Sequence, residues 1–237
     1  MNTTYIKVLF RKIIVYSFAF ILCLFPLLLE GQIETSCEKS NSFTKLVVTG
    51  NISISLERGE EAQICGLAGT NPSDLQISIS GNTLRISRIS GKKYEKQPNL
   101  KIIFTTLNTI EGYSKADIST LNLIKSDSLR IELKNGSVFY ADCDIKYLHA
   151  NIIEGSLLTI KGYAVEQQIQ ANGKATFNGF ELEGTTAEVK TATGGIAKVN
   201  IEKSLTGTSS SGGHIAYKGK PQVDIKQSMG GKVVDEN

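Results

Sequence analysis

From Phe43 onward, apolar residues alternate with polar ones instead of recurring every third or fourth position. Leu46-Val48, Ile52-Ile54-Leu56, Ile77-Ile79, Leu84-Ile86 and Leu129-Ile131-Leu133 mark one side of a chain whose other side carries Ser, Thr, Lys, Arg and Asn. A period of two sends successive side chains to opposite faces, so these segments predict half-buried β-strands. Arg58-Gly59-Glu60, Gly69-Thr70-Asn71-Pro72, Gly81-Asn82 and Asn135-Gly136 separate them as turns. Gly81-Asn82 reads as a two-residue hairpin joining Leu75–Ser80 to Thr83–Arg88.

The second half repeats. Gly136, Gly155, Gly173, Gly195, Gly213 and Gly231 are spaced by 19, 18, 22, 18 and 18 residues. Two residues after each stands Val138, Leu157, Ala175, Ala197, Ile215 or Val233, and four after stands Tyr140, Thr159, Phe177, Val199, Tyr217 or Asp235. A second strand precedes each glycine, so a unit reads as two short strands and two corners. This period predicts an all-β fold, a single-stranded parallel β-helix (solenoid) in which stacked coils share one core. An antiparallel β-sandwich is the alternative architecture. Residues 43–125, read as longer strands with less regular turns, form an N-terminal β region that begins and caps the stack, and residues 126–237 form the regular coils. Lys232, Asp235 and Glu236 around Val233-Val234 suit an end protected by charge.

Lys7, Arg11 and Lys12 precede an uncharged run from Ile13 to Leu29, the layout of a secretory signal peptide spanning residues 1–31; an uncleaved anchor is the other reading. Residues 32–42 follow as a linker. Removing the export segment leaves 23 basic and 22 acidic residues, so the formal net charge of +3 belongs mostly to the signal, and a nucleic-acid partner loses its support. The remaining cysteines are Cys37, Cys65 and Cys143. Glu34-Thr35-Ser36-Cys37 invites a lipidated Cys37, although Glu34 stands where an aliphatic residue is expected. A Cys65–Cys143 bond competes with a reading of Cys143 as a small buried thiol.

The chemistry is sparse. Asp142 and Asp144 share one side of a strand and are the best carboxylate pair for polysaccharide cleavage. One coil later stand Lys161 and Tyr163, so the carboxylates do not accumulate, and a solvated Asp142–Lys161 ladder is expected. His149 and His214 lack metal-ligand spacing, and Asp224 is only a distant partner for His214. Ser209-Ser210-Ser211-Gly212-Gly213 reads as a corner, with no helix behind it to make a phosphate loop. Tyr140, Tyr147, Tyr163 and Tyr217 could build an aromatic sugar platform, but the register puts Tyr140 and Tyr217 in the inward row. Asp127-Ser128-Leu129 matches a short O-glycosylation acceptor. No catalytic, cofactor-binding or metal site is expected.

Two segments carry a family resemblance. Phe43-Thr-Lys-Leu-Val-Val-Thr-Gly-Asn-Ile-Ser-Ile-Ser-Leu, with Leu84-Arg-Ile-Ser and Leu100-Lys-Ile-Ile-Phe, resembles the opening of the autotransporter adhesin head GIN domain. Ser209-Ser-Ser-Gly-Gly-His-Ile-Ala-Tyr-Lys-Gly-Lys-Pro-Gln-Val, closing on Ser228-Met-Gly-Gly-Lys-Val, resembles its end. The resemblance covers Phe43 to the C-terminus and implies that the solenoid is an exported, right-handed single-stranded parallel β-helix of Bacteroidetes-type bacteria. The family's Ser-Gly corners are eroded here to Asn135-Gly136-Ser137, Glu154-Gly155-Ser156 and Asn172-Gly173-Lys174. The expected role is a non-enzymatic envelope or cell-surface module, adhesin-like or structural, in the periplasm, outer membrane or surface of a Gram-negative cell. Its partner would be an envelope component, a glycan or a surface ligand, with self-association through the solenoid ends and membrane contact only through the export segment. A carbohydrate-active enzyme acting on acidic polysaccharide is the alternative.

Overall fold

Tight corners and softer bends divide the chain into stacked coils. The computed structural model describes residues 34–67, 69–89 and 96–237; the stretch 1–31, read above as an export signal, lies outside them. The strands are β1 (Glu34–Lys39), β2 (Lys45–Thr49), β3 (Ser53–Arg58), β4 (Gln63–Leu67), β5 (Leu75–Ser80), β6 (Thr83–Arg88), β7 (Asn99–Phe104), β8 (Thr109–Tyr113), β9 (Asp117–Thr120) and β10 (Ile124–Lys134). They continue as β11 (Val138–Ile153), β12 (Leu157–Asn172), β13 (Thr176–Ala192), β14 (Ile196–Ser209), β15 (His214–Lys218), β16 (Gln222–Gln227) and β17 (Lys232–Asp235).

Two parallel faces enclose the core. The front face, which follows each corner, stacks β7, β3, β9, the first halves of β11 to β14, β15 and β17. The back face stacks β6, β2, β8, β10, the second halves of β11 to β14, and β16. Neighbouring coils thus run in the same direction. The fold is a mostly parallel β-solenoid, and the sandwich alternative is excluded. Stack order departs from chain order only at the start, where the β2–β3 coil lies between β6–β7 and β8–β9. β1 to β9 span four to six residues, shorter than β10 to β14 and not longer as the sequence suggested.

Antiparallel strands close the N-terminal end. β5 folds back on β6 through the Gly81-Asn82 hairpin with the bounds expected from sequence. β4 pairs with β7, and β1, inside the stretch 32–42 read as linker, pairs with β4. Cys37 and Cys65 are directly opposed across β1 and β4 and form a disulfide, while Cys143 is a buried free thiol. The Cys65–Cys143 pairing is therefore wrong: Cys143 points into the bore from β11, away from the antiparallel cap. A disulfide-bonded Cys37 has no sulfur left for a lipid, so the lipidation reading falls too.

The corner is more regular than the glycines suggested. Two consecutive residues adopt positive φ at Ser114-Lys115, Asn135-Gly136, Glu154-Gly155, Gly173-Lys174, Thr193-Gly194, Ser211-Gly212 and Met229-Gly230. These are the central residues of tight turns closed by bonds such as Gly195 N–H to the Ala192 carbonyl (3.0 Å) and Gly213 N–H to the Ser210 carbonyl (2.8 Å). The corners also bond to one another: the second positive-φ N–H of one coil donates to the first positive-φ carbonyl of the next, as in Gly136 to Glu154 and Gly155 to Gly173 (both 3.0 Å).

Against this frame, the six counted glycines occupy three successive positions of one corner. Gly173 is the first turn residue, Gly136 and Gly155 the second, and Gly195, Gly213 and Gly231 follow the turn. The inward rows shift accordingly. Ile118, Phe139, Leu158, Phe177, Ala197 and Ile215 form one buried column, so Val138 and Leu157 point outward. Ala141 and Ile160, not Tyr140 and Thr159, fill the next column; Tyr140 is 48% exposed. Tyr217 does follow Val199 in its column and packs against the core.

The second corner is a bend within a continuous strand. In β11, residues 139, 141, 143 and 145 are buried, Lys146 and Tyr147 both point out, and burial resumes at 148, 150 and 152. The same slip in alternation falls at Val165-Glu166 in β12 and Thr185-Thr186 in β13. Two adjacent outward residues let the chain round the convex edge without breaking the ladder. Each coil therefore has one tight corner, not two.

Candidate functional site

The carboxylates considered for catalysis are held apart by the ladder. Asp142 faces Lys161 one coil on, with Nζ to Oδ2 at 3.4 Å, as the spacing predicted. Asp144 faces Tyr163, and its carboxylate pairs with Lys125 on the preceding coil at 3.5 Å. Both side chains are about half exposed, at 43% and 51%, which leaves no desolvated acid to act as a proton donor. Between them Cys143 is fully buried, and burial, aided by Asp144 and Asp142, pushes its thiol up to about 12. It is neither nucleophile nor ligand.

The other candidates are similarly dispersed. His149 on the back face shares a 2.7 Å hydrogen bond between Nδ1 and Gln168 Oε1, and Gln168 Nε2 donates to Glu188 at 3.4 Å. His214 opens β15 on the front face, whereas Asp224 lies in β16 on the back, so the two do not form a pair. Ser209 ends β14 and Ser211-Gly212 is the turn itself, which makes the Ser/Gly run a corner. Ser128 is exposed on β10, beside Asp127, whose carboxylate pairs with Lys146 at 2.7 Å. Among the described residues no group of three or more His, Cys, Asp or Glu could hold a metal ion.

The tyrosines divide between faces. Tyr140 stands on the front, Tyr147 just beyond the bend on the back, and Tyr163 beside the bend. What the structure does assemble is a front-face groove of about 270 Å³. Tyr140, Thr159 and Asn178 line it from three successive coils, the Asp142–Lys161 pair lies alongside, and Phe180 and Glu181 close it. Phe180 is backed by Lys198 and Lys218, with Nζ 5.6 and 4.8 Å from the ring centroid. Asn178 escaped the sequence reading because Gly173 opens its corner whereas Gly136 and Gly155 close theirs, and Phe180 because a register shift in β13, between Gly179 and Glu183, takes the chain out of its period there.

A second depression, about 450 Å³, runs along the back face between two rows of side chains, Arg130, His149, Gln168 and Glu188 on one side and Tyr147 on the other. Its polar groups are largely spent on one another. Glu188 also pairs with Lys190 at 2.6 Å, which holds its carboxyl below the usual range.

The class these observations define is a mostly parallel β-solenoid with dispersed, ion-paired carboxylates and broad polar lateral faces. A family model described as "Putative auto-transporter adhesin, head GIN domain" matches residues 42–221, and the chain belongs to this family of exported, envelope-associated proteins. The fold is shared with the crystal structure of a "putative adhesin" from Bacteroides fragilis, at 21% identity and TM-score 0.74, over 84% of this chain and 94% of that one. It is shared as well with a "putative adhesin" from Parabacteroides merdae, at 18% identity and TM-score 0.68, over 88% and 98%. A "putative lipid binding protein" from Parabacteroides distasonis aligns at 16% identity and TM-score 0.67, over 88% and 98%. No curated protein matches the chain.

Proposed function

We propose that the chain is displayed at the cell surface and binds an oligosaccharide in the front-face groove. The observation that carries this reading is the row of Tyr140, Thr159 and Asn178, in which an exposed ring lies next to a hydroxyl and an amide. Sugars present an apolar C–H face and a rim of hydroxyls, and an aromatic ring beside planar polar groups answers both. Stacked strands about 4.8 Å apart repeat such contacts along the axis, which suits a chain of sugar units better than a single one. The back-face row is the poorer candidate because its groups already satisfy one another.

Titrating the exported chain with a panel of neutral and acidic oligosaccharides, followed by calorimetry and by chemical shifts of the tyrosine rings, tests the site. Binding should weaken at least about tenfold in Tyr140→Ala, the loss expected when one stacking anchor goes. Saturable binding that is unchanged in both Tyr140→Ala and Asn178→Ala would place the ligand elsewhere. Protease treatment of intact cells tests the display, since a chain cut only after envelope disruption is not on the surface.

A further inference from the structure

The two ends of the solenoid are treated differently. At the N-terminal end, antiparallel β5, β4 and β1 cover the outermost coil and a disulfide secures them. At the other end, among the described residues, β16 pairs only with β14 and β17 only with β15. Their outer edges present unpaired N–H and C=O groups, a template for another strand. β16 contains no proline or bulge; its inward positions are Val223, Ile225 and Gln227, and its charged residues, Asp224 and Lys226, alternate with them. Val223 is 39% exposed, and Ile225 and Val233 are only partly covered.

The sequence of β16 is self-complementary. Asp224 and Lys226 flank Ile225 and project from the outer face, and among the described residues neither has an ion-pair partner. If β16 meets its own copy antiparallel and centred on Ile225, each Asp224 stands opposite a Lys226 and the two isoleucines meet inside the extended bore. Antiparallel pairing of β17 likewise brings the Lys232 end of one copy against the Asp235-Glu236 end of the other. A two-fold axis perpendicular to the faces meets both requirements, keeping inward rows inward and closing the assembly at two copies.

We propose that the β16–β17 end is a homodimer interface, occupied by a second copy of this chain through antiparallel β16–β16 and β17–β17 pairing. The dimer would present two front-face grooves with their solenoid axes opposed.

Sedimentation of the exported chain over a concentration series tests this. A monomer–dimer equilibrium is expected. Asp224→Lys and Lys226→Asp each replace two attractive cross-strand pairs by repulsive ones and should weaken the dimer by roughly tenfold or more. The double swap restores both pairs and should recover the affinity, while circular dichroism verifies the fold of each variant. A second variant, Ile225→Cys, places the two new thiols at the Cα separation of directly opposed strand residues, about 4.5–5.5 Å, and should give a covalent dimer on mild oxidation. Four results would overturn the proposal: a monomer up to about 1 mM, open-ended polymers, a double swap no better than the single changes, or no covalent dimer from the cysteine variant.

Discussion

The ring of Phe177 lies 2.5 Å from where a Cβ would sit on Gly179, two residues along the same strand. In the adjacent coil its column neighbour is Ala197. A large side chain is thus accommodated by a missing one beside it and a small one below it. Phe177→Ala should cost about 3–5 kcal/mol and Gly179→Ala about 1–3, read from urea unfolding. Because the two share one space, Gly179→Ala should cost less in a Phe177→Leu background, a coupling that a double-mutant cycle measures directly.

The corner makes a conformational prediction separable from packing. Thr193 sits at φ 51°, a β-branched residue in the left-handed region, whereas Gly155 sits at φ 68° with open space where a Cβ would go. Thr193→Asn should stabilise by about 1 kcal/mol, since Asn tolerates that region and Thr does not. Gly155→Ala should destabilise by about the same amount through backbone strain alone. Equal and opposite shifts in thermal midpoint would bear out this reading; no change in either would show that the ladder bonds between corners dominate.

These positions also explain how far the sequence could be read. Period-two alternation in short strands such as Thr83–Arg88 has no competing signal, so the hairpin was legible to the residue. The coil period was legible from glycine, but not its phase, because the corner needs two left-handed residues in a row, and Asn, Glu, Lys, Thr, Ser and Met share those places with glycine. A phase error of one residue turns a strand inside out, and that is what moved Tyr140 from the surface to the core. The Asp142–Lys161 pairing survived because that interval, 19 residues, is the true spacing between those coils. The Cys37–Cys65 bond depends on an antiparallel cap that no local pattern announces.

The cysteines predict a redox-specific response. Reduction of Cys37–Cys65 frees a loop with a sequence separation of 28, which by loop entropy costs about 3–4 kcal/mol. The loss should fall on the β1–β4 cap. Hydrogen exchange after reduction should therefore rise in β1 (Glu34–Lys39) and β4 (Gln63–Leu67) and stay protected in β2, β3 and β11 to β13. Cys143 should remain unlabelled by iodoacetamide in native protein and react only on unfolding, since its thiol is buried and held neutral. Rapid native labelling of Cys143 would contradict the closed bore.

Alkaline stability should depend on Tyr113. Its hydroxyl donates to Glu111 Oε2 at 3.2 Å on the back face, close to Glu132. Partial burial, and then the two carboxylates, hold the phenol well above its ordinary value, because a phenolate there would be poorly hydrated and repelled. In the unfolded chain the same group ionises near pH 10. A raised folded value contributes stability that is intact below about pH 10 and is lost as pH climbs towards the folded value, at up to about 1.4 kcal/mol per pH unit. Cys143 and Tyr217, also raised, add losses of the same sign. Tyr113→Phe should cost about 1 kcal/mol at pH 7 through the lost hydrogen bond. Above pH 10 its stability should fall less steeply than that of the parent chain, so the two curves converge and cross. Urea unfolding between pH 7 and pH 11.5 measures both limbs, and parallel curves throughout would show that the phenol ionises as readily in the folded chain as in the unfolded one.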